Sequence, residues 1–407
     1  MSEPTGVRFG RGALPTVAAG AAIVFLAMGI RQSFGLFLTP VTDDLGSGRS
    51  TFSLAMAIQN IMLGLPLAGI LADRFGSRRV AALGGLAYAV AMLVVAQWAS
   101  TAGLFGGLGL TAGLALSATS YVVVLGAVGR VVPPHRRASA FGIITAFGSL
   151  GMFAMIPVSQ GLIGAFGWRG AFVGLAAITG LITLIALRLP GSVTEPGHNR
   201  AAHEPLLEIL QRPVRNRSYL LLIAGFFVCG FHVAFISTHL PAYLSDGGIS
   251  PGAVTASLAL IGLMNIVGSS TFGLLGDRYR KRTLLSILYF SRAGLLVLFL
   301  IVPLTNPTAV IFGAVMGFLW LGTVPLTSGT VAALFGVRYL ATLYGVVFLG
   351  HQVGAFLGVW LGGAVYDRTG SYTSVWMIAI VLGVTSAVIH IPIDDRKPAA
   401  IARPQES

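Results

Sequence analysis

A short string recurs in this chain 204 residues after its first appearance, each time at the end of an apolar stretch. The first copy is Gly69-Ile-Leu-Ala-Asp73-Arg74-Phe-Gly76-Ser-Arg78-Arg79 and the second is Gly273-Leu-Leu-Gly-Asp277-Arg278-Tyr-Arg280-Lys281-Arg282. A glycine-rich helix end, an Asp-Arg pair and a basic run at matched places mean that one architecture occurs twice. The rest of the chain sets its solvent. Hydrophobic residues make up 55% of the sequence and charged residues 10%, against about 25% charged in a soluble domain. The pattern is that of a duplicated membrane domain. It is predicted to be helical, because a helix satisfies its own backbone polar groups in hydrocarbon.

A spanning helix takes about 20 apolar residues. Twelve stretches qualify: 14–38, 52–72, 80–99, 102–129, 139–163, 168–189, 218–243, 252–276, 283–303, 308–335, 341–364 and 372–391. They fall six and six around a polar, charge-rich segment. The predicted organisation is an N-terminal six-helix bundle over 1–190, a cytoplasmic linker over 191–217, and a C-terminal six-helix bundle with a short tail over 218–407. Inside the linker, Pro205-Leu-Leu-Glu-Ile-Leu-Gln reads either as part of a tether or as a short interfacial helix. The polar Met1 to Gly12 carries no cleavable signal pattern, so the first apolar stretch is expected to be a retained span.

Basic residues orient the chain. With both ends inside, nearly all arginines and lysines fall in cytoplasmic segments, and the opposite side keeps only Arg49, Arg169 and Arg368. That is a positive-inside distribution. The formal charge of +13 then reflects topology and attraction to anionic lipid headgroups, with no need of a nucleic-acid partner. The only cysteine, Cys229, lies within a predicted span, which rules out an intramolecular disulfide or a thiolate metal cluster. No Gly-x4-Gly-Lys-Ser/Thr phosphate loop occurs, and no nucleophile, base and acid stand together in a recognisable pattern. Neither an enzyme nor a bound cofactor is expected.

The twin string resembles the loop signature Gly-x-Leu-x-Asp-Arg-x-Gly-x-Arg-Arg of the major facilitator superfamily, found between spans two and three and again between spans eight and nine. The first copy is complete; in the second, Arg280 replaces the second glycine. The resemblance implies an all-α membrane protein of twelve transmembrane helices in two pseudo-symmetric six-helix bundles. It further implies alternating access by rocking of the halves. Asp73, Arg74, Arg78, Asp277 and Arg278 would then form the latch of the cytoplasmic face.

Three further strings resemble the bacterial relatives of the monocarboxylate and oxalate–formate transporter branch. They are Arg31-Gln-Ser-Phe-Gly35 in span one, Phe231-His-Val-Ala-Phe-Ile-Ser-Thr-His-Leu-Pro-Ala-Tyr243 in span seven, and His351-Gln-Val-Gly-Ala-Phe-Leu-Gly358 in span eleven. They imply a small organic anion, a monocarboxylate first of all, moved with a proton or against a counter-anion through the cytoplasmic membrane by what is usually a monomer. One departure stands against a finer assignment. Animal members of the branch carry an Asp and an Arg one turn apart in span eight, and the oxalate–formate exchanger carries an Arg there; Asn265 and Ser269 fill those places here.

The residues themselves give the charge of the solute. Every Asp and Glu falls in a loop, a tail or a helix end, so no carboxylate remains in the bilayer core. The intramembrane ionisable groups are Arg31, Arg292, His232, His239 and His351, and such groups are costly and usually functional. A guanidinium in a low-dielectric cavity attracts an anion, and its fork matches a carboxylate. Arg31 either contacts the solute or snorkels to the outer headgroups. Arg292, in a scaffold helix by the resemblance, either pairs with carbonyls or belongs to the site. His232 and His351 either carry the coupled proton, as the only side chains there with an ordinary pKa near neutrality, or tie helices together. Tyr121 beside Ser120, Asn265, Trp320 with Thr323, Gln352, and Gln59-Asn60 are polar candidates that could also simply bridge helices. Gly350, Gly354, Gly358 and Gly362 form a small-residue seam in span eleven, for close packing or for sliding. Two rival readings stay open. One is an exporter of amphipathic drugs or metabolites, for which the abundant Phe and Met would line a pocket; the other is a non-transporting sensor on the same fold.

Overall fold

The computed structural model describes residues 13–65, 67–191, 213–336 and 340–395. Most of the expected linker, including Pro205 to Gln211, and both chain ends lie outside the described residues. All regular elements among the described residues are helical. In chain order they are α1 (Ala13–Ser33), a 3-10 turn (Phe34–Phe37), α2 (Leu38–Leu45), α3 (Arg49–Gly64), α4 (Leu67–Phe75) and α5 (Ser77–Gln97). There follow α6 (Thr101–Gly103), a π-helical stretch (Leu104–Thr111), α7 (Ala112–Ala118), α8 (Tyr121–Val131) and α9 (Pro134–Ala186). The second half holds a 3-10 turn (Pro213–Arg215), α10 (Arg217–Asp246), α11 (Pro251–Arg278), α12 (Lys281–Ile301), α13 (Asn306–Phe318), α14 (Thr323–Phe335), α15 (Leu340–Thr369) and α16 (Thr373–His390).

Ten helical segments among the described residues are long and apolar enough to cross a membrane, two fewer than the sequence predicts. Both missing spans have a local cause. Ser139–Ala186 runs through as one segment of 48 residues, but Gly167 inside it has φ 66° and ψ 176°, so two spans meet there at a bend. Only glycine reaches that conformation without strain. Span two is broken after Gly64 into α3 and α4, each too short to be counted. The residue before Pro66 is disfavoured in a helix, which accounts for the break.

The described chain divides into two compact units. The first holds residues up to Ser33 together with Leu65–Thr194; the second holds Phe34–Gly64 together with the chain from Glu195 onward. The division differs from the sequence expectation in one place: Phe34–Gly64, part of the first six spans in chain order, packs in the second unit. In the first unit α1 lies along α9, and α5 packs on α9, α7 and the π-helical stretch. In the second, α10 lies along α15, α15 also packs on α3, α11 on α13, and α12 on α16. Span one against span five is thus repeated as span seven against span eleven, and span three against span six as span nine against span twelve.

The repeat extends to single bonds. Arg78 Nε donates to the carbonyl of Leu189 at 2.7 Å. Its counterpart 204 residues on, Arg282, donates from Nη1 to the carbonyls of Ile391 and Ile393 at 3.0 and 3.1 Å. In each unit a motif arginine thus holds the chain just past the end of the final span.

Candidate functional site: intramembrane polar clusters

Each unit carries a helix broken part-way, at nearly equivalent places. In the first unit span four stops at Ala118 and restarts at Tyr121. Short side chains on the same segment close the break: Thr119 Oγ1 donates to the Ala115 carbonyl at 2.9 Å and Ser120 Oγ to that of Ser117 at 2.8 Å. Arg31, on the last turn of α1, has Tyr121 and the fully buried Tyr88 as electrostatic neighbours. The structure thus makes Tyr121 an electrostatic neighbour of Arg31, and adds Tyr88 from α5. The tyrosine was not singled out from sequence, because a lone Tyr in an apolar helix carries no pattern.

In the second unit span ten stops at Phe318 and restarts at Thr323. Here the break is closed by other helices. Arg292, with no exposed surface, donates from Nε to the Leu319 carbonyl at 2.9 Å and from Nη2 to the carbonyls of Leu319 and Trp320. Asn265 Oδ1 accepts the backbone N–H of Leu321 at 3.0 Å. A cation at the carbonyl end of a helix is favourably placed, and two carbonyls and one N–H freed by the break find side-chain partners on other helices. Gly322 and Pro325 are the local sequence signals of this break; Pro325 lies in the first turn of α14, where its missing N–H costs least.

A polar cluster surrounds that break. Cys229 Sγ lies 3.1 Å from Thr323 Oγ1 and 3.6 Å from Arg292 Nη1, and is a hydrogen-bond neighbour of His351. His351 Nδ1 donates to Gln352 Oε1 at 2.9 Å, and its ring stacks on Phe348 and tilts against Phe226. Gln352 Nε2 in turn donates to the carbonyl of Asn60 on α3. The fully buried indole of Trp320 leaves Nε1 without a protein partner. His232 stands apart on the α16 side, where Nε2 donates to the Ala379 carbonyl at 2.7 Å and Nδ1 meets no partner. His239 Nε2 donates to the Val359 carbonyl at 2.8 Å.

The residues expected to form the latch stand at helix ends. Arg74, Asp277 and Arg278 are exposed, and Arg78 is engaged with Leu189; the side chain of Asp73 lies outside the described residues. Among the described residues no cluster of His, Cys, Asp or Glu is arranged to hold a metal ion.

One polar cluster was missed in the sequence. Arg49 at the start of α3 pairs with Asp246 at the end of α10, through Nη1 to Oδ2 at 2.6 Å and Nη2 to Oδ1 at 2.8 Å. Asp367 on α15 accepts the backbone N–H groups of Arg49 and Ser50 at 2.8 and 2.9 Å. The three charged residues lie in separate loops of the sequence, and nothing in their local strings announces the meeting.

Comparison with known proteins agrees with this architecture. The chain is 26% identical over 388 residues to the uncharacterised MFS-type transporter YcxA of Bacillus subtilis, covering 91% of this chain and 92% of that one. It is 25% identical over 374 residues to monocarboxylate transporter 13 of Rattus norvegicus, covering 90% and 86%. With the oxalate:formate antiporter of Oxalobacter formigenes it shares 24% over 387 residues, covering 88% and 87%. Two solved structures superpose with a TM-score of 0.76 each. The nucleoside transporter NupG does so at 15% identity over 93% of this chain and 99% of its own; a bacterial homologue of the human lysosomal transporter Spinster does so at 14% over 94% and 98%. Those two likenesses bear on the fold alone. The family profile of the Major Facilitator Superfamily matches residues 20–355 and 272–407, and with twelve spans, the twin loop string and paired helix contacts already in place, the chain belongs to that superfamily of membrane transporters.

Proposed function

We propose that this protein is a secondary transporter of a small organic anion, a monocarboxylate in the first instance. It works in the cytoplasmic membrane with both termini inside, by alternating access coupled to proton symport or anion exchange. It performs transport rather than catalysis. The observation that carries the reading is Arg31: a guanidinium at membrane depth whose electrostatic neighbours are the tyrosines Tyr88 and Tyr121, in a chain with no carboxylate in its span interiors. A carboxylate solute would supply the opposite charge, and the tyrosine hydroxyls would direct hydrogen bonds to its second oxygen. The monocarboxylate and oxalate:formate relatives support the same solute class.

Proton coupling falls to His351 in preference to His232. His351 sits in the polar cluster at the broken span ten, beside Cys229 and hydrogen-bonded to Gln352. His232 is tied to Ala379 between α10 and α16. Asn265, by holding the Leu321 N–H, acts on the site through Trp320. Asp73, Arg74, Arg78, Asp277 and Arg278 keep the latch role that the family resemblance gives them. The rocking halves are those read from the repeat, 1–190 and 218–407, joined by 191–217, and a single copy of the chain is the working unit.

The test is thermal stability of purified protein against millimolar monocarboxylates, dicarboxylates, sugars and lipophilic cations. A ligand at about 100 times its dissociation constant stabilises by about 2.7 kcal/mol. A carboxylate should stabilise the parent, and Arg31→Gln should abolish the effect. Stabilisation by lipophilic cations alone would overturn the reading in favour of the amphipathic exporter.

A further inference from the structure

Arg49 is one of three basic residues on the side that the charge distribution makes the outside, and it is held from four directions. Its guanidinium forks onto both oxygens of Asp246 at 2.6 and 2.8 Å. It lies 3.8 Å over the centre of the Tyr366 ring, a favourable place for a cation. Nη1 also donates to the Tyr372 hydroxyl at 3.0 Å. Its own backbone N–H, with that of Ser50, donates to the carboxylate of Asp367 at 2.8 and 2.9 Å, so Asp367 caps the N-terminus of α3 and meets the positive end of its dipole. The approach is close enough that a side chain at Gly48 would run into Asp367.

A second layer lies behind the first. His239 Nε2 donates to the Val359 carbonyl, which leaves Nδ1 as an acceptor for the Tyr372 hydroxyl at 3.2 Å. Tyr372 accepts from Arg49 while donating to His239, so both layers are polarised in one direction and each bond strengthens the next. Ser53 Oγ, one turn into α3, donates to the Arg49 carbonyl at 2.7 Å, and a side chain on Gly363 of α15 would meet both groups.

We infer that Arg49, Asp246 and Asp367 form a clasp that fastens the outer end of span two to spans seven and eleven, and that this clasp must open whenever the transporter turns its site outward. The inference rests on the alternating-access reading above, but not on which solute is carried. Phe34–Gly64 packs on α10 and α15 in the second compact unit, yet span two belongs to the first of the two halves proposed to rock, so a rocking cycle has to part these contacts. Charged groups suit a contact that is repeatedly broken. In the closed state the ring faces and neighbouring helices lower the dielectric around the fork. In the open state water replaces each bond, with Asp246 already 35% exposed and Arg49 11%. An apolar contact of equal strength would leave a bare hydrophobic face on opening.

Cysteine accessibility tests this without knowledge of the solute. Ser237 stands on α10 where the Phe34–Phe37 turn covers its backbone, against Gly35. Cys229, the single native cysteine, is wholly buried, so a membrane-impermeant maleimide added from outside reads a Ser237→Cys reporter. Arg49→Gln and Asp246→Asn should each raise the labelling rate, by about tenfold or more for loss of a charged hydrogen-bond pair. The double variant should label no faster than the faster single, because both remove one interaction. Arg368→Gln, an exposed arginine at the same end, should leave the rate unchanged. Labelling of Arg49→Gln at the parent rate, or effects of the two single changes that multiply, would overturn the clasp. If Arg49→Gln fails to insert, Asp246→Asn and Tyr366→Leu carry the same comparison. Failure of the anion reading would appear instead in the ligand panel, with the labelling result standing.

Discussion

At the scale of single residues, Arg292 gives the sharpest expectation. Its guanidinium has no exposed surface and is satisfied by the carbonyls of Leu319 and Trp320. Arg292→Gln removes the charge and most of the donors while leaving the helix-end carbonyls buried, a change costing on the order of 3 kcal/mol. Arg292→Lys keeps a charge but offers a point in place of a fork, so its loss should be smaller. Thermal unfolding in detergent should rank parent, Lys, Gln. For Arg292→Ala, millimolar guanidinium should raise the melting temperature by more than it does for the parent; equal shifts would mean that the carbonyl pocket is not what the side chain fills. The sequence made Arg292 and Arg31 legible as intramembrane charges because charge is scarce there. It left the particular partners of Arg292 illegible, since Leu319 and Trp320 contribute backbone carbonyls and backbone carries no residue signature. Arg49 stayed hidden for the opposite reason: an arginine in a loop between spans is ordinary until Asp246 and Asp367 are brought beside it.

At the scale of elements, the glycine seam of α15 has a definite opposite face. A side chain on Gly354 would meet the carbonyl of Phe227, one on Gly358 that of Phe231, and one on Gly362 the ring of His239; conversely, one on Gly230 of α10 would meet the carbonyl of His351. The four-residue spacing predicts a close helix contact, and the contact is with α10; the sequence did not name the partner, because small residues invite any helix backbone equally. Gly354→Ala forces these backbones apart and should destabilise by about 1–3 kcal/mol, the usual cost of overpacking. Gly345→Ala is the control. A side chain there meets nothing within 4 Å, so stability should stay within about 1 kcal/mol of the parent, helped by the better helix propensity of Ala. Equal losses for both would assign the effect to the helix itself rather than to the seam. The broken spans follow the same logic. Gly322 and Pro325 mark one break in the sequence, while Thr119 and Ser120 mark the other only through hydroxyls that bond back to their own helix.

At the scale of the whole molecule, duplication is what the sequence displays best, and the structure carries it down to a bond: Arg78 to Leu189 and Arg282 to Ile393, both pairs shifted by 204 residues. The copies have diverged at one neighbouring position. Asp395, just after Ile393, accepts from Arg280 at 2.8 and 3.2 Å and from the backbone N–H of Arg282 at 3.4 Å, whereas the equivalent position of the first copy is Gly191. Burial alone would raise the pKa of the Asp395 carboxyl. The Arg280 hydrogen bond and the Arg282 N–H outweigh that and hold it below the usual carboxylate value. A lowered folded pKa means stability that is complete above the unfolded carboxylate pKa, about 3.9, and is lost as pH falls through the folded value. Asp395→Asn should therefore cost on the order of 1 kcal/mol at pH 7, since Arg280 is partly exposed. The cost should begin to shrink as the pH falls below about 4 and vanish only below the depressed folded value, where the parent carboxyl is protonated in the fold as well. Arg78→Leu, in the copy whose tether ends on a carbonyl, should show a loss that does not change over the same pH range. Melting curves of the two variants against pH separate these cases. A pH-independent cost for Asp395→Asn would mean that Arg280 and Arg282 hold the end of span twelve without drawing on the carboxylate charge.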